Sequence, residues 1–537
     1  MAPMLIALAS SAELFHTASG TAYADLLVDG HRETWPVRSA RCRAWLRRLY
    51  FEATGDAPSA AALGSALNLL EARAQFEGPE RAVHVRLAEH AGRIYLDLAD
   101  PAWRAVEIGP QGWQVVAQPP VRFRRPAGML ALPLPQPGGT LHELAAFINV
   151  PGQDELVLLT SWLLATLRPG GPYPILVVAG EQGSAKTVLA KTLRALTDPN
   201  AAPVRTLPRE ERDLFIAANN GHVLAFDNLS TVPPWLSDTL CRLASGGSFA
   251  TRQLYTDGDE VLFDAARPII LNGIEDVVTR PDLADRALFL TLPYLAEQRR
   301  RSEQEFWRAF ELARPRLLGA LLDAVSHGLR MLPLVRLERL PRMADLALWA
   351  AACETAAWPG GAFARAYAGN RRAAVHDAID ADPVAACVRE IMAERSSWTG
   401  TAVDLLRVGA GRSWDGRSDS RTGWPKSPRA LAGRLRRAQT FLRALGIDIT
   451  FSREGRAGSR MISIRARHDS TVSTVSSVRH HGFRSGSGQP PPAPTGAVRE
   501  DHCRADLAGR GPAAQAVSVT VADDADGADA DAGFRFG

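Results

Sequence analysis

The stretch from Pro172 to Asp198 is the part of the sequence that most constrains the fold. It reads PYPILVVAGEQGSAKTVLAKTLRALTD, in which an apolar, β-branched run predicts a buried strand and the last twelve residues predict an amphipathic helix. The loop between them fits the phosphate-binding spacing G-x-x-x-x-G-K-[ST] from Gly180 to Lys186 and Thr187, except that Ala185 replaces the second glycine. A strand, a loop and a helix in this order are the context that the motif requires.

Ala185 leaves two alternatives open for this loop. With a negative φ its methyl group can point away from a phosphate, whereas a positive φ costs on the order of 1 kcal/mol or more. In either case the backbone N–H groups of residues 183–187 can surround phosphates at a helix N-terminus. Lys186 can then reach the β- and γ-phosphates. It is one of only three lysines in a chain whose other basic residues are arginine, which favours a specific role for it.

Two further apolar segments end in polar residues suited to a nucleotide site. GHVLAFDNLS predicts a strand that ends in Asp227, the Walker B pattern in which a carboxylate holds Mg²⁺. RPIILNG predicts a strand that ends in Asn272, and the next segment, RPDLADRALFLTLP, supplies Arg280 and Arg286. The alternation of strands and helices between residues 141 and 293 predicts a parallel α/β core.

In this order of motifs, residues 170–295 resemble the AAA+ ATPases, and among them the superfamily 3 helicases and the phage and poxvirus-type primase-helicases. The resemblance implies that Asn272 positions the attacking water and that Arg286 is an arginine finger that reaches the nucleotide of a neighbouring subunit in a homo-oligomeric ring, most simply a hexamer. The alternative for Arg286 is a salt bridge to Asp282 or Asp285. Arg342 is a candidate second sensor. The resemblance implies ATP and Mg²⁺ as cofactors, with phosphate contacts from Gly180, Gly183, Ser184, Ala185, Lys186 and Thr187 and metal contacts from Thr187 and Asp227.

The sequence departs from that family pattern at two places. Asn228 follows Asp227 where a glutamate normally polarises the water, so hydrolysis is expected to be slow unless another carboxylate such as Glu181 serves. The segment LASGGSFATRQLYTDGDEVLF predicts a β-hairpin that carries Arg252, a candidate DNA contact, but its tip is acidic and repels phosphate. A structural hairpin at a subunit interface is the alternative.

The remaining sequence predicts a multidomain chain. Residues 1–140 predict an α+β domain of unknown role, residues 141–297 the P-loop core, and residues 298–383 a helical lid. Residues 384–466 predict a small basic module, and residues 467–537 are too polar to fold. The five separated cysteines indicate a reduced, cytoplasmic protein without a metal framework. The longest apolar segment, LVLLTSWLLATL, is too short to cross a bilayer and predicts a buried helix.

The basic module is the candidate DNA-binding part of the chain. Residues 384–465 contain 16 Lys and Arg against 7 Asp and Glu. Three predicted helices followed by a hairpin resemble a winged helix, with Ser427 capping the third helix. That helix places three arginines opposite its apolar stripe, and the hairpin adds others. The candidate DNA contacts here are Arg429, Arg436, Arg443, Arg453 and Arg456, with Arg460 beside them.

The sequence thus predicts an ATP hydrolase of phage or mobile-element replication, acting as a DNA helicase or translocase on single-stranded or duplex DNA. It leaves open whether a separate primase is a partner. A regulatory switch that binds ATP and DNA without unwinding is the alternative, favoured by Asn228 and the acidic hairpin. A small-molecule P-loop kinase leaves Arg286 and the basic module without a role.

Overall fold

The structure, a computed structural model, describes residues 1–230, 232–252, 260–273, 281–410, 424–454 and 459–466. For residues 248–252 and 260–265 it describes the backbone alone. The described residues lie in one compact unit of the chain.

The N-terminal part begins with a three-stranded antiparallel sheet and three helices, which share a small core. A short first helix and strand precede an antiparallel hairpin and two longer helices. Ser39 and Ser59 cap the second and third helices through their side chains. The elements are α1 (Ala2–Leu8), β1 (Glu13–His16), β2 (Ala22–Val28), β3 (His31–Pro36), α2 (Ala40–Thr54) and α3 (Ala60–Phe76).

A second set of strands follows, and it was not predicted as a unit. Four of these strands form an antiparallel meander in the order β5–β6–β7–β8, while β4 pairs with β9 in parallel. Leu96 and Ile108 of the meander are fully buried in the largest core of the protein, together with residues beyond position 141. The strands are β4 (Val83–His84), β5 (Leu87–His90), β6 (Arg93–Asp97), β7 (Ala105–Gly109), β8 (Gly112–Val116) and β9 (Arg122–Phe123).

A four-stranded parallel sheet lies at the centre of the molecule, as the alternating pattern predicted. Its strand order is β11–β14–β10–β15, and every pairing is parallel. A separate hairpin, β12–β13, stands between β11 and β14 in the chain. The elements of this region are α4 (Gln153–Thr166), β10 (Ile175–Gly180), α5 (Lys186–Thr197), α6 (Glu211–Asn219), β11 (Leu224–Leu229), α7 (Pro234–Ser245), β12 (Gly247–Arg252), β13 (Glu260–Ala265), β14 (Ile269–Gly273), α8 (Pro281–Ala284) and β15 (Ala287–Leu292).

Both faces of this sheet are buried, which explains why its strands are continuously apolar. Along β10, Leu176 and Val178 enter the largest core, while Ile175 and Val177 enter a second core on the opposite face. The apolar segment LVLLTSWLLATL lies in α4, a helix buried on all sides, as predicted.

The chain after the sheet is helical and ends in a small mixed module. α9 (Glu303–Met331), α10 (Ala344–Glu354) and α11 (Ala362–Ala381) pack against α4. By length and composition α9 is the one described helix that could span a membrane, but its apolar residues enter the core.

The small mixed module comprises α12 (Pro383–Glu394), β16 (Ser397–Thr401), α13 (Ala402–Ala410), α14 (Pro428–Ala444), β17 (Ile447–Glu454) and β18 (Ser459–Ala466). Its three helices and hairpin match the sequence prediction, and β16, which joins the sheet beside β18, was missed.

The proline-rich segment LALPLPQPGG, which ends just before residue 140, lies along α9. The N–H of Gln136 donates to the carbonyl of Pro315 at 2.9 Å. A Cβ atom on Gly319 would lie 1.9 Å from the carbonyl oxygen of Gln136, so the two backbones are in close contact. The segment is therefore packed against the helices, and the domain boundary near residue 140 stays a prediction.

A buried ion pair connects the meander to the parallel sheet. Arg86 is fully buried, and its Nε donates to the carboxylate of Asp198 at 3.0 Å. Burial alone raises the pKa of Asp198, but the charges of Arg86 and Arg194 outweigh this and hold the pKa below its ordinary value. Asp198 is therefore ionised, and the pair is fully desolvated.

Loss of Arg86 should destabilise the protein strongly, because Asp198 would remain as a buried charge with less compensation. We expect Arg86→Met to lower the free energy of unfolding by about 3–5 kcal/mol. Arg93→Ala, which removes an exposed pair with Glu107 on the same meander, should cost at most about 1 kcal/mol. Urea unfolding measures both. Equal effects of the two substitutions would contradict the assignment.

Candidate functional site

The phosphate-binding motif lies at the carboxyl end of β10 and leads into α5, which begins at Lys186. Gly180 has a φ of 143° and Gly183 a φ of 87°, values that side-chain-bearing residues rarely adopt. A Cβ atom on Gly180 would lie 2.6 Å from the carbonyl oxygen of Leu292 at the end of β15. Both glycines are therefore required by the loop itself.

Ala185 adopts the strained alternative of the two that the sequence left open. Its φ is 68° and its ψ is 27°, the left-handed conformation, immediately before the first helical residue. In this region the Cβ of an L-residue costs roughly 1–2 kcal/mol relative to its ordinary conformation. The loop thus has, at this position, the backbone conformation that glycine adopts freely. Ala185 is strained there because it carries a Cβ atom.

Asp227 and Asn272 meet at the same edge of the sheet, because the strands that carry them are neighbours and run parallel. The Nδ2 of Asn272 donates to Oδ1 of Asp227 at 2.5 Å. Asn272 is 1% exposed, and among the described residues its Oδ1 has no hydrogen-bond partner. A buried, unpaired acceptor beside a carboxylate is an arrangement suited to a water molecule or a hydrated cation.

Lys186 lies over the loop and within electrostatic range of Asp227. Its Nζ donates to the carbonyl oxygens of Gly180 at 2.7 Å and of Glu181 at 2.8 Å. Burial lowers the pKa of Lys186, and the charge of Asp227 opposes that change. The structure therefore brings together Lys186, Asp227 and Asn272. The sequence placed each of them at or shortly after the end of a separate strand.

Asn228 is at the end of β11, beside Asp227 but exposed to solvent. Its φ is 57°, and its N–H donates to Oδ1 of Asp227 at 2.8 Å. The pairing of β11 with β14 is irregular at this point, between Phe226 and Leu229. Asparagine tolerates the left-handed conformation better than most residues, and its amide cannot act as a general base.

Arg286 lies at the opposite edge of the sheet from the phosphate loop. It immediately precedes β15, and its carbonyl oxygen accepts from the N–H of Ile175, the first residue of β10. The six residues of β10 place the phosphate loop about 17 Å away along the strand. Arg286 therefore faces away from the phosphate loop of its own chain.

Within the described residues, the contact of Arg286 with Asp282 is to the backbone. Nη1 of Arg286 donates to the backbone carbonyl of Asp282 at 2.9 Å. The carboxylate of Asp285 is bound instead by Arg371 at 2.6 Å, with Arg342 at 3.9 Å. Arg286 and Arg342 line two adjoining cavities of about 330 and 520 Å³ at this edge. Arg342 is thus far from the phosphate loop of its own chain, and a sensor role there does not fit its position.

The candidate DNA contacts of the basic module are mostly exposed. Arg429, Arg436 and Arg443 lie on the outer face of α14, opposite the buried stripe. The guanidinium of Arg436 lies 4.6 Å from the ring centroid of Phe451 on β17, and Nε of Arg443 is 3.5 Å from Asp448. Arg453 is exposed and stands directly opposite Arg460 in the hairpin. Arg456 and the side chain of Arg252 lie outside the described residues.

Three residues beside the phosphate loop escaped the sequence motifs. The amide nitrogen of Asn149 donates to the carbonyl oxygens of Ser184 at 3.3 Å and Pro293 at 2.7 Å. Tyr294 and Arg300 follow β15 and lie next to Gly183. The sequence signal for Tyr294 and Arg300 was their position shortly after β15, which neighbours β10. No sequence signal pointed to Asn149.

Two family models match this chain over adjacent segments. Residues 141–380 match the model of the actinomycete integrative conjugative element replication protein, and residues 384–477 match the model of the AICE RepA C-terminal domain. These segments are similar to the replication protein of a mobile element. The matched residues include the phosphate loop, Asp227, Asn272 and the basic module.

Solved structures of one other protein also align with the chain. Two are entitled the A form apo structure and the apo structure of the NrS-1 C terminal region, with TM-scores of 0.40 and 0.39 and identities of 12% and 11%. Each alignment covers 86% of this chain and 98% of the other. No curated protein matches the chain.

Replacement of Ala185 by glycine should stabilise the protein. Glycine removes the left-handed strain, and its greater freedom in the unfolded chain offsets part of the gain, so we expect about 0.5–1 kcal/mol. Ala195→Gly, in regular helix within α5, should instead destabilise by about 1 kcal/mol. Urea unfolding of both variants checks the signs. Destabilisation by Ala185→Gly would contradict the strain at this residue.

Proposed function

We propose that the protein is an AAA+-type P-loop ATPase that drives an ATP-dependent helicase or translocase step in the replication of a mobile element. The observation that carries the proposal is the convergence of Lys186, Asp227 and Asn272 at one edge of a parallel sheet, beside a loop with phosphate-binding spacing. The family models support the replication context. A kinase of small molecules has no use for the basic module.

The residues at this edge fit ATP with Mg²⁺. The backbone N–H groups at the start of α5 and Nζ of Lys186 would bind the phosphates. Thr187 and Asp227 would hold the metal, which would neutralise charge on the transferred phosphoryl group. The unpaired Oδ1 of Asn272 can accept a hydrogen bond from the attacking water and so orient it.

The position of Arg286 supports a ring of identical subunits. Its side chain is at the edge of the sheet that faces away from its own phosphate loop. In a head-to-tail ring two different faces of the subunit meet, and the proposal pairs the edge that carries Arg286 in one subunit with the nucleotide of the next. Arg286 is then an arginine finger that acts on the neighbour, and Arg342 belongs to the same interface.

The C-terminal module is proposed to be a winged helix that binds DNA. Its order of three helices and a hairpin, the exposed arginines of α14 and the arginine pair at Arg453 and Arg460 support this role. Two like charges placed directly opposite in a hairpin repel each other, and a bound phosphate relieves that repulsion. Asp448 offsets the charge of Arg443, so Arg429 and Arg436 are the stronger candidates on the helix.

A DNA-bound switch that binds ATP without unwinding is the second candidate. The observation that favours it is Asn228, an amide where a general base is expected. DNA binding and ring assembly are retained in that case, and only turnover differs.

Steady-state ATP hydrolysis with and without DNA tests the main proposal and separates it from the second. We expect Lys186→Ala to abolish ATP binding and hydrolysis, because the phosphate loses its main cation. Lys191→Ala is the matched control, since Lys191 lies in the same helix near an exposed Glu303. Intact nucleotide affinity in Lys186→Ala would disprove the P-loop assignment. ATP turnover that DNA stimulates supports a motor. ATP binding without turnover supports the switch, and in that case Asn228→Glu should gain hydrolysis.

DNA affinity as a function of salt tests the module. Arg429→Ala combined with Arg436→Ala should weaken duplex binding and reduce the slope of log K against log salt by about 2, because two phosphate contacts are lost. Arg443→Ala alone should change the slope less, since Asp448 already offsets its charge. An unchanged slope in the double variant, with an unchanged melting temperature, would show that these arginines face no phosphate.

A further inference from the structure

Two consecutive residues of α11 hold the strand β15 and the turn before it. We propose that one of them, Arg371, is a positioning residue for Arg286 and holds it in place to act on the nucleotide of a neighbouring subunit. This inference rests on the proposed function, because it deepens the assignment of Arg286 as an arginine finger. It concerns the far edge of the sheet and adds no contact to the phosphate loop.

Arg371 binds the two residues that precede Arg286. Its Nη1 donates to the backbone carbonyl of Ala284 at 2.6 Å, and its Nη2 donates to Oδ1 of Asp285 at 2.6 Å. A guanidinium presents its donors in a rigid plane, so two acceptors on consecutive residues fix the direction of the chain at that point. Arg371 therefore sets the backbone from which the side chain of Arg286 extends.

Asn370 binds the same strand three residues after Arg286. Its Nδ2 donates to the carbonyl oxygen of Phe289 at 2.5 Å, and its Oδ1 accepts from the N–H of Phe289 at 3.1 Å. β15 is an edge strand of the parallel sheet, and this amide takes the place of a neighbouring strand at that residue. Arg286 thus lies between two points at which α11 holds the chain.

α11 is itself fixed at both ends, so it is a rigid support. Tyr367, in its first half, is buried in the largest core of the protein, and Ile379, in its second half, is buried in the core of the C-terminal module. Ala284, whose carbonyl Arg371 binds, belongs to the same core as Ile379. Side chains packed in this way cannot shift without opening a void. The position of Arg286 is therefore set by α11.

The guanidinium of Arg286 moves with the turn that carries it. Its hydrogen bond to the backbone carbonyl of Asp282 lies within that turn, so the bond does not anchor the turn to the rest of the protein. An arginine finger acts only where its guanidinium reaches the phosphate, and a displacement of about 1 Å can cost on the order of 100-fold in rate. Loss of the contacts of Arg371 should therefore impair hydrolysis more than nucleotide binding.

Steady-state hydrolysis and the affinity for a non-hydrolysable ATP analogue with Mg²⁺, measured by calorimetry on the full chain, test this assignment. Arg371→Met keeps the length of the side chain and removes both contacts. It should lower the hydrolysis rate about 10- to 100-fold and change the analogue affinity less than about twofold. Arg372→Met is the matched control, because Arg372 is exposed on the same helix, and it should change neither quantity.

Mixtures of variants show on which subunit Arg371 acts. Lys186→Ala does not bind nucleotide but keeps Arg286 in place, so it should restore hydrolysis by an adjacent Arg371→Met subunit. A mixture of Arg286→Ala with Arg371→Met should show no recovery, because both variants lack a working arginine finger. Thermal melting verifies the fold. Should Arg371→Met fail to fold, Arg371→Lys keeps the charge beside Asp285 and should give the same pattern with a smaller loss.

The outcomes separate this inference from the proposed function. If the unmodified chain does not hydrolyse ATP, or if Arg286→Ala hydrolyses it at the normal rate, the arginine-finger assignment fails and the inference fails with it. If Arg286→Ala is inactive and Lys186→Ala restores its activity, the proposed function stands. Arg371 is then excluded as a positioning residue if Arg371→Met hydrolyses ATP normally, if it loses analogue binding to the same extent, or if Arg286→Ala restores its activity.

Discussion

The carboxylate of Asp198 is the group on which the geometry of the candidate site depends. It follows α5 directly, so it fixes the far end of the helix that Lys186 begins. Its Oδ2 accepts from the backbone N–H groups of His222 and Val223, immediately before β11, which ends near Asp227. One buried carboxylate thus fixes the end of α5, which carries Lys186, and the start of β11, which carries Asp227.

Arg86 extends this connection to the N-terminal part of the chain. Besides Asp198, its guanidinium donates to the carbonyl oxygens of Asp97, Leu130 and Pro199. These contacts join the meander, the proline-rich segment and the loop after α5. Burying two charges costs several kcal/mol per ion, and only such complete hydrogen bonding compensates for it. The meander therefore helps to hold the parallel sheet in place. The sequence alone did not indicate this contact.

The features that could be predicted from the sequence depend on residues that are close together in the chain. Apolar β-branched runs predicted β10, β11 and β14, since a strand buried on both faces needs no alternation. Ser427 predicted the start of α14, and its side chain accepts from the N–H of Ala430. The convergence of Lys186, Asp227 and Asn272 also followed from the sequence, because the ends of parallel strands share an edge.

What could not be predicted depends on contacts between distant residues. Arg86 and Asp198 are 112 positions apart, and neither lies in a motif. The left-handed conformation of Ala185 results from the path of the loop into α5, which spacing does not reveal. Arg443 and Arg436 look equivalent in a seven-residue repeat, yet only Arg443 lies near a carboxylate, which β17 supplies.

Lys186 and Arg286, two cations assigned to the nucleotide, differ in a way that bears on the cycle. Lys186 lies over the phosphate loop of its own chain, whereas Arg286 is about the length of β10 away. On the proposed function, Lys186 contacts ATP as soon as a subunit binds it, but Arg286 contacts ATP only when a neighbour is in place. Binding is then a property of one subunit and hydrolysis a property of two. On the same proposal, the ATPase would remain inactive until the ring assembles, and DNA bound by the basic module would bring the copies together.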